Sequence, residues 1–350
     1  MKKSILLLSI VLSVIVLASC GQKKTTETHK NVNEAILSGT EWFDTDGNRI
    51  NAHGGGILYH EGVYYWYGEV KGDSTYWNPK VPSWECYRTE AGGVSCYSSP
   101  DLVNWKYRGI VLAPDMTDSL SDLHPSNVLE RPKVIYNDKT KKFVMWLHVD
   151  SHDYAKAAAG MAVCNTPDGQ FQYLGAMRPN GAMSRDMTLF KDDDGKAYHV
   201  YSSENNATLY ISLLTNDYLE PSGKFTRNFV DRSREAPAVF KRDGKYYLVS
   251  SGCTGWDPNQ AEYAVADSMF GEWTVKGNPC SGKDAAITFY GQSTHVVKAE
   301  GRNDVYIAMF DKWNKTDLVN SRYIWLPVTF KEDSIDIAWQ DKWTLNTAFD

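Results

Sequence analysis

The sequence predicts an all-β fold, a five-bladed β-propeller, and three observations lead to it. A short apolar strand, a polar turn and a second apolar or aromatic strand recur five times along the chain. Two of the turns hold Asp-Gly, a strong hairpin signal between β-rich segments. No strong amphipathic helix separates the copies, which argues against alternating strands and helices. The copies are Gly55–Tyr59 with Val63–Tyr67, Lys133–Tyr136 with Phe143–Leu147, Met187–Phe190 with Ala197–Tyr201, Ala238–Phe240 with Tyr246–Val249, and Thr294–Val297 with Val305–Met309.

Further strands follow several of these hairpins and bring each unit to about four strands, as in a propeller blade. Ser98–Asp101 leads into Trp105–Tyr107, and Ala266–Ser268 leads into Glu272–Val275. Serial units of this kind are the signature of a propeller. A β-sandwich is the alternative fold, but it does not require five similar hairpin starts.

The N-terminal residues predict export. Lys2 and Lys3 precede an apolar run, Ile5–Leu17, that is too short to cross ~30 Å of hydrocarbon and is typical of a signal peptide. The ending Leu17-Ala18-Ser19-Cys20 resembles the bacterial lipoprotein box, which implies lipidation of Cys20 and anchoring to a membrane. An ordinary cleaved signal, with Cys20 lost, is the alternative.

Three regions are therefore expected: a lipoprotein signal peptide at 1–20, a flexible polar tether at 21–35, and the propeller at 36–350. No acidic cluster follows Cys20, so an outer-membrane lipoprotein facing the periplasm is favoured over one on the cell surface. The net charge of −6 gives a nucleic-acid partner no electrostatic support. We expect a monomer.

Six cysteines include Cys20 and leave five in the predicted domain, so at least one thiol stays free. Cys86 and Cys96 are candidates for a disulfide across a loop, and mostly unpaired, buried cysteines are an equal alternative. The cysteine spacings match no zinc pattern. The 12 Trp, 21 Tyr and 12 Phe suit both a strand-rich core and the packing of aromatic faces against sugars.

The residues just before the first strand of each unit are expected to converge, because these strands line the axis of a propeller. Three of the five starts carry a carboxylate: Glu130, Asp186 and Glu235. Clustered carboxylates are costly in a buried funnel unless they are used or bind a cation. Cleavage of a glycosidic bond needs a carboxylic acid whose pKa is raised, and a neighbouring carboxylate raises it. Asp186 beside Glu235 suits that chemistry. Structural ion pairs with the adjacent arginines are the alternative: Arg131, Arg185 and Arg234.

The motifs at these starts resemble glycoside hydrolase family 43, a family of five-bladed propellers, over nearly all of the mature chain. They are His53–Leu58, Glu130–Lys133, Ser184–Thr188, Arg234–Pro237, Ser251–Trp256 and Gly291–Ser293. The resemblance implies an inverting hydrolase in which Glu235 is the general acid and Asp186 tunes its pKa. The family's first-blade base has no counterpart, because Gly54–Gly56 occupy that stretch.

This departure resembles the exo-β-1,3-galactanase branch of the family, in which a fifth-blade glutamine takes the place of the base. Gln292 matches that position. A neutral amide is a very poor base, so Gln292 is expected to orient water, as the amide or the imidic acid tautomer. Glu130 is the alternative water activator.

Position in the repeat indicates further residues for substrate binding. Glu69 ends the second strand of the first unit and is expected to hold sugar hydroxyls. Thr254 and Trp256 follow the second strand of the fourth unit, and Trp256 is either a stacking platform or a core residue. Tyr154 and Asn205 lie in comparable loops, with a core role favoured for Tyr154.

Two histidines complete the candidates. His53 stands at the start of the first unit and is included among the substrate-binding residues. His295 is expected to point to the axis in the fifth unit, where the family resemblance implies a neighbouring calcium. A satisfied core histidine is the favoured reading, so no cofactor is required and a structural Ca²⁺ is the one cofactor considered.

The leading prediction of function is an exo-acting β-1,3-galactanase or galactosidase that releases galactose from arabinogalactan-type chains. An α-L-arabinofuranosidase or β-galactofuranosidase is second, because similar branches of the family act on furanosides. Subsite loops decide between them, and the long insertion Asp73–Gly93 is one such loop. A non-catalytic glycan-binding lipoprotein is third: the missing base favours it, while Glu235 and Asp186 oppose it.

Overall fold

A computed structural model describes residues 33–81 and 84–346. The predicted signal peptide, Cys20 and residues 21–32 of the predicted tether lie outside this part of the chain. Within the described residues, no helix has the length and apolar character needed to span a membrane. Strands dominate, with three short 3-10 helices at Pro179–Gly181, Ala285–Tyr290 and Leu318–Asn320.

Five sheets form the body of the domain, and in each the first strand of a hairpin lies at one edge. Strand β1 (Ile36–Leu37) precedes them. Blade one contains β2 (His53–His60), β3 (Val63–Lys71), an inserted hairpin of β4 (Tyr76–Trp77) and β5 (Tyr87–Arg88), then β6 (Ala91–Ser99) and β7 (Lys106–Leu112). Blade two contains β8 (Val128–Asn137), β9 (Lys142–Asp150), β10 (Ala158–Cys164) and β11 (Gln172–Met177). Blade three contains β12 (Met187–Lys191), β13 (Ala197–Ser203), β14 (Thr208–Leu214) and β15 (Pro221–Asn228). Blade four contains β16 (Arg234–Arg242), β17 (Lys245–Gly252), β18 (Glu262–Ala266) and β19 (Thr274–Gly277). Blade five contains β20 (Cys280–Ser281), β21 (Gln292–Lys298), β22 (Tyr306–Lys312), β23 (Arg322–Lys331) and β24 (Ser334–Ala338), and β25 (Lys342–Trp343) follows it.

The sheets close into a ring. The innermost strands contact one another in the order β2, β8, β12, β16 and β21, and β21 returns to β2. Strands β1 and β25, from the two ends of the described chain, pair with Ile36 opposite Trp343. The predicted five-bladed β-propeller is therefore confirmed.

The core is divided into five hydrophobic clusters, one between each pair of neighbouring blades. The cluster between blades five and one holds much of the tryptophan content. Trp66 packs edge to face against Trp105 and Trp325, with ring centroids 5.4 and 4.9 Å apart. Aromatic pairs in this geometry stabilise beyond the area they bury. Many of the aromatic residues thus serve the seams between blades.

A break of register recurs near the start of the inner strand. It falls between His53 and Gly56, Glu130 and Lys133, Glu235 and Ala238, and Ser293 and His295. In three of the blades the residue after the start has a left-handed backbone: Gly54 (φ 59°), Arg131 (φ 58°) and Ala236 (φ 52°). Pro132 and Pro237 follow two of these, and proline suits a bulge because it has no N–H for the ladder. We call these features the blade-start bulges; such bulges re-aim side chains next to active sites.

The sequence left the pairing of the cysteines open. Cys86 and Cys96 are both free and buried. Cys164 and Cys253 are also free, as is the buried Cys280. The alternative of unpaired cysteines is the correct one for the described residues.

Candidate active site

A cavity of about 540 Å³ opens at the mouth of the propeller where the inner strands begin. It brings together nine of the residues predicted from sequence: Glu69, Glu130, Tyr154, Asp186, Asn205, Glu235, Thr254, Trp256 and Gln292. These residues come from all five blades, as the convergence of blade starts predicts. His53 and His295 do not line this cavity.

Glu235 is a buried carboxyl group of the site. It precedes the left-handed Ala236 in the blade-four bulge. Its Oε1 accepts a hydrogen bond from Nε2 of Gln292 at 3.0 Å, and its Oε2 accepts one from Nδ2 of Asn206 at 3.3 Å. Burial, followed by the charge of Asp186, raises the pKa of Glu235 to about 8. Glu235 is therefore protonated near neutral pH and able to donate a proton.

Arg131 links the third and fifth blades to the second. Its Nε and Nη2 donate to the two carboxylate oxygens of Asp186 at 3.0 and 2.9 Å, a bidentate pair. Nη2 also donates to Oε1 of Gln292 at 2.5 Å. Of the three ion pairs weighed from sequence, only this one joins an arginine to a blade-start acid. Arg185 instead faces Asp150 at 3.7 Å, and Arg234 faces Glu262 at 3.9 Å.

The amide of Gln292 is held from every side. Its Oε1 accepts from Arg131 and from the indole Nε1 of Trp313 at 2.8 Å. Its Nε2 donates to Glu235 and to Oγ of Ser251 at 3.1 Å. The carbonyl oxygen has two lone pairs and the NH₂ group has two protons, so the hydrogen-bonding capacity of Gln292 is filled. This arrangement fixes its orientation and leaves no free lone pair to accept a proton from water.

Glu130 is linked through His148 to Asp150, and the sequence analysis identified neither of these two partners. Nδ1 of His148 lies 3.2 Å from Oε2 of Glu130, and Nε2 of His148 lies 3.1 Å from Oδ2 of Asp150. Carboxylates only accept, so both ring nitrogens donate and His148 is an imidazolium ion. Burial lowers the pKa of His148, but its hydrogen bonds to Asp150 and Glu130 outweigh burial and raise it to about 9. Burial raises the pKa of Glu130, but His148 and the charges of Lys71 and Arg131 bring it down to about 2.

The first blade supplies Glu69 where an aspartate is expected. A Cβ atom added to Gly54 would lie 2.2 Å from Oε1 of Glu69, so the space that a side chain at Gly54 would enter is filled by this carboxylate. Glu69 is buried and accepts from Nζ of Lys71 at 2.8 Å. Burial raises the pKa of Glu69 to about 7, against the lowering effect of Lys71.

His53, which the sequence analysis placed among the substrate-binding residues, is buried and lies outside the cavity lining. Its ring stacks on Tyr323 with centroids 4.8 Å apart, and its Nδ1 lies 3.1 Å from Oδ1 of Asp311. The same carboxylate accepts from the backbone N–H of Gly54 at 3.0 Å. The stacking on Tyr323 and the contact with Asp311 together hold the imidazole of His53 between blades five and one.

One wall of the cavity is an arc of aromatic rings. Tyr154, Trp84, Trp256 and Trp313 follow one another with centroid distances of 5.8, 6.4 and 5.1 Å. Trp256 is also fixed by a hydrogen bond from its Nε1 to the carbonyl of Tyr87, 2.8 Å away. These contacts favour the platform role for Trp256 and place Tyr154 in the site, with its hydroxyl 3.3 Å from Glu130.

Two predicted residues line the cavity without contacting the acids directly. Thr254 donates its hydroxyl to the carbonyl of Asp257 at 2.6 Å and thereby shapes its own loop. Asn205 is exposed, and its neighbour Asn206 is the residue that reaches Glu235. Cys253 lies beside Asn206, whose Nδ2 is 3.5 Å from the cysteine Sγ.

The residues missed from sequence follow a rule that the strand register makes visible. Each bulge residue faces a partner on the second strand of its blade: His53 faces Glu69, Glu130 faces His148, Glu235 faces Ser251 and Gln292 faces Asp311. Pairing the predicted hairpins residue by residue would have given Val149 and Gly252 instead of His148 and Ser251, because each bulge shifts the register by one residue. Trp313 lies two residues beyond Asp311, just after β22. Trp84 comes from the insertion that the repeat does not cover.

The comparisons with known proteins agree with this geometry. The family model "Glycosyl hydrolases family 43" matches residues 56–334. A solved β-1,3-galactosidase of this family, in complex with galactodeoxynojirimycin, is 44% identical with a TM-score of 0.82, over 89% of this chain and 100% of that one. The exo-β-1,3-galactanase from Phanerochaete chrysosporium, solved with β-1,3-galactotriose, is 35% identical with a TM-score of 0.79, over 90% of this chain and 69% of that one.

A curated relative widens the range of activities among similar proteins. The β-D-galactofuranosidase xynD from Aspergillus niger is 23% identical over 253 residues, which are 66% of this chain and 73% of the relative. The match of the family model extends over most of the chain, from blade one to blade five. The chain therefore belongs to glycoside hydrolase family 43 and is a glycoside hydrolase.

Proposed function

We propose that this protein is an exo-acting β-1,3-galactosidase or galactanase that releases galactose from arabinogalactan-type glycans with inversion. The observation that carries the proposal is the state of Glu235, a buried carboxylic acid with a pKa of about 8 at the edge of a sugar-sized cavity. The similar β-1,3-galactosidase and exo-β-1,3-galactanase support the choice of sugar and linkage.

In the proposed reaction Glu235 protonates the glycosidic oxygen as the bond to the anomeric carbon breaks. A water molecule attacks the anomeric carbon from the opposite face and loses one proton. The leaving sugar departs as an alcohol, galactose forms with inverted configuration, and Glu235 regains a proton from solvent. Asp186 serves this step through its charge, which helps to keep Glu235 protonated until the bond breaks.

The acceptor of the water proton is proposed to be Glu130, with Gln292 in an orienting role. Glu130 is ionised, and its oxygens accept one hydrogen bond each, from His148 and Tyr154, which leaves lone pairs for water. Asp186 already accepts hydrogen bonds from Arg131 at both carboxylate oxygens, and Glu69 accepts one from Lys71. Gln292 has no free lone pair, but it fixes Glu235 and Arg131 relative to each other.

The lining of the cavity combines the two kinds of group that bind a galactose ring. The aromatic arc offers ring faces to C–H groups, with Trp256 as the main platform. Polar lining residues, among them Glu69 and Asn205, offer hydrogen bonds to hydroxyls. A cavity of this kind binds by apolar burial and is oriented by a few polar contacts.

The proposal is tested by incubating the purified protein with β-1,3-galactobiose, β-1,3-galactan and nitrophenyl furanosides. We expect galactose from the first two, first detected by NMR as the α-anomer. Glu235→Gln should lower kcat by at least ~100-fold, because removal of a general acid costs about 10²–10⁴-fold. Glu262→Gln, a carboxylate of the same blade paired with Arg232, is the matched control and should keep wild-type activity. An active Glu235→Gln enzyme would show that Glu235 is not the general acid.

A furanosidase is the second candidate, because the Aspergillus niger relative is a β-D-galactofuranosidase. Hydrolysis of nitrophenyl β-D-galactofuranoside or α-L-arabinofuranoside, without release of galactose from β-1,3-galactobiose, would select it.

The variants Glu130→Gln and Gln292→Ala test which of the two residues accepts the proton of the attacking water. We expect the larger loss of kcat from Glu130→Gln, and the reverse order would assign the water to Gln292.

We further propose that the enzyme acts as a monomer anchored through lipidated Cys20 to the outer membrane, on the periplasmic side. The lipoprotein box and the absence of acidic residues directly after Cys20 support this. Cys20→Ala should move the protein from the membrane fraction to the soluble fraction. Protease added to intact cells should leave the wild-type protein uncut, and digestion would place it on the cell surface.

A further inference from the structure

The proposed chemistry leaves one buried charged residue of the inner strands unused. Lys133 follows the blade-two bulge on β8, and only 2% of its surface is exposed. Its Nζ donates to the carbonyl of Gly54 at 2.8 Å and to the carbonyl of Arg131 at 3.4 Å. Both acceptors are the left-handed residues of blade-start bulges, in blades one and two. Burial, followed by the charge of Arg131, lowers the pKa of Lys133 to about 7. A buried amino group needs hydrogen-bond partners, so these two carbonyls indicate a specific role.

Lys133, Gly56 and His295 meet where blades one, two and five come together. A Cβ atom on Gly56 would lie 2.6 Å from Cδ of Lys133 and 3.4 Å from Nδ1 of His295, so only glycine leaves room for the lysine stem. Nδ1 of His295 is buried without a hydrogen-bond partner. Burial, with the charge of Lys133, lowers the pKa of His295 to about 3, so this histidine is neutral.

These residues do not fit the calcium that the family resemblance places near His295. Calcium takes 6–8 oxygen ligands and favours carboxylates. Among the described residues, the one group of three ligating side chains is Glu130, His148 and Asp186 in the active-site cavity, and His295 is not part of it. Next to His295 stands Lys133, whose Nζ already donates to the carbonyl oxygens of Gly54 and Arg131.

We infer that Nζ of Lys133 stands at the axis of this propeller in place of a metal ion, and that Lys133 is a positioning residue for the active site. It holds the carbonyl of Arg131, whose guanidinium fixes Asp186 and Gln292. It also holds the carbonyl of Gly54, whose N–H bonds Asp311. The backbones of the two bulges are thus tied to one point below the cavity. The kinetic part of this inference rests on the proposed galactosidase function.

The first experiment uses the wild-type protein and needs no substrate. The protein is dialysed against EDTA and its thermal unfolding is followed by circular dichroism, before and after addition of excess CaCl₂. We expect the same Tm in all three states. A Tm that falls with EDTA and returns with Ca²⁺ would show a metal at the axis and overturn the inference.

The second experiment compares Lys133→Met with Lys191→Met on β-1,3-galactobiose. Lys191 is a matched control, because it lines the cavity at the opposite mouth but bonds only Tyr136 and Asp138. We expect Lys133→Met to lower kcat at least ~100-fold with KM changed less than ~3-fold, since small displacements of reacting groups cost rate. Unchanged kcat in a folded Lys133→Met protein would overturn the positioning role.

Lys133→Asp gives a readout that fold stability alone would not produce. It replaces the amino group with a carboxylate that ends two bonds short of the position of Nζ and leaves space for a cation beside the carbonyl oxygens of Gly54 and Arg131, which is an approach to a calcium site. We expect Ca²⁺ to raise the Tm of this variant and not that of the wild type. A Ca²⁺ response equal in both proteins, or absent from both, would overturn the inference. Inactivity of the wild type on every galactoside would overturn the proposed function instead and leave both Tm experiments valid.

Discussion

Gly54→Ala tests whether Glu69 fills the place of the missing first-blade acid. The added Cβ would lie 2.2 Å from Oε1 of Glu69, whereas real Cβ contacts stay above 3.0 Å. Glu69 cannot retreat freely, because Lys71 holds its other oxygen at 2.8 Å. The left-handed backbone of Gly54 adds ~1–2 kcal/mol of strain, and overpacking adds ~1–3 kcal/mol, so we expect a loss of ~2–5 kcal/mol. At about 2–4 °C of Tm per kcal/mol this is a fall of roughly 4–20 °C.

Gly62→Ala is the matched control for backbone strain. Gly62 is also left-handed, at φ 87°, but nothing lies within 4 Å of its added Cβ, so only ~1–2 kcal/mol should be lost. Thermal unfolding of both variants, in the wild-type and Glu69→Ala backgrounds, forms a double-mutant cycle. The cost of Gly54→Ala should shrink to that of Gly62→Ala once Glu69 is removed. Equal costs of Gly54→Ala in the two backgrounds would refute the assignment of the space to Glu69.

Three further predictions concern acids, histidine and the aromatic wall. Because burial and then Asp186 raise the pKa of Glu235 to about 8, the proton-donating form is lost as pH rises, and kcat/KM should fall with a midpoint near pH 8; a midpoint below pH 6 would contradict this. The pKa of His148 is raised to about 9, so its stabilising contribution is complete below pH 6.5 and disappears toward pH 9. The Tm of the wild type should therefore drop more over that window than the Tm of His148→Asn, and parallel curves would argue against a charged His148. Trp84→Ala should raise KM for β-1,3-galactobiose ~10-fold through loss of an aromatic contact, while Trp77→Ala, on the same insertion but 55% exposed, should leave KM unchanged.

The repeat in the sequence was sufficient to predict the ring of blades and the meeting of its starts. Glu130, Asp186, Glu235 and Gln292 were placed correctly because a blade start has one position relative to the axis, whatever residue it carries. The same rule was wrong for His53, whose backbone is in register with the others. A side chain at such a start can turn away when a stronger partner lies behind it, and Tyr323 with Asp311 provides one.

Other parts of the site depend on contacts between distant segments, which a local pattern does not contain. Trp84 reaches the cavity from an insertion without repeat symmetry, and its ring packs directly over Gly255. The role of Gly54 depends on Glu69, a residue of the neighbouring strand. His148 faces Glu130 only because the blade-two bulge shifts the register by one residue, and the predicted hairpin does not contain this shift.

The blade-start bulges also bear on how such an enzyme changes over evolutionary time. The bulges of blades two, four and five present Glu130, Glu235 and Gln292 to the cavity from positions that take no part in the five hydrophobic clusters between blades. The residues that line the cavity are therefore not the residues that hold the blades together. A substitution at one blade start leaves the hydrophobic clusters between blades intact. A lineage can give up an acid on one blade and recruit an amide on another while it keeps the same scaffold. Glycine at position 54 and glutamine at position 292 are what such an exchange would leave behind in the sequence.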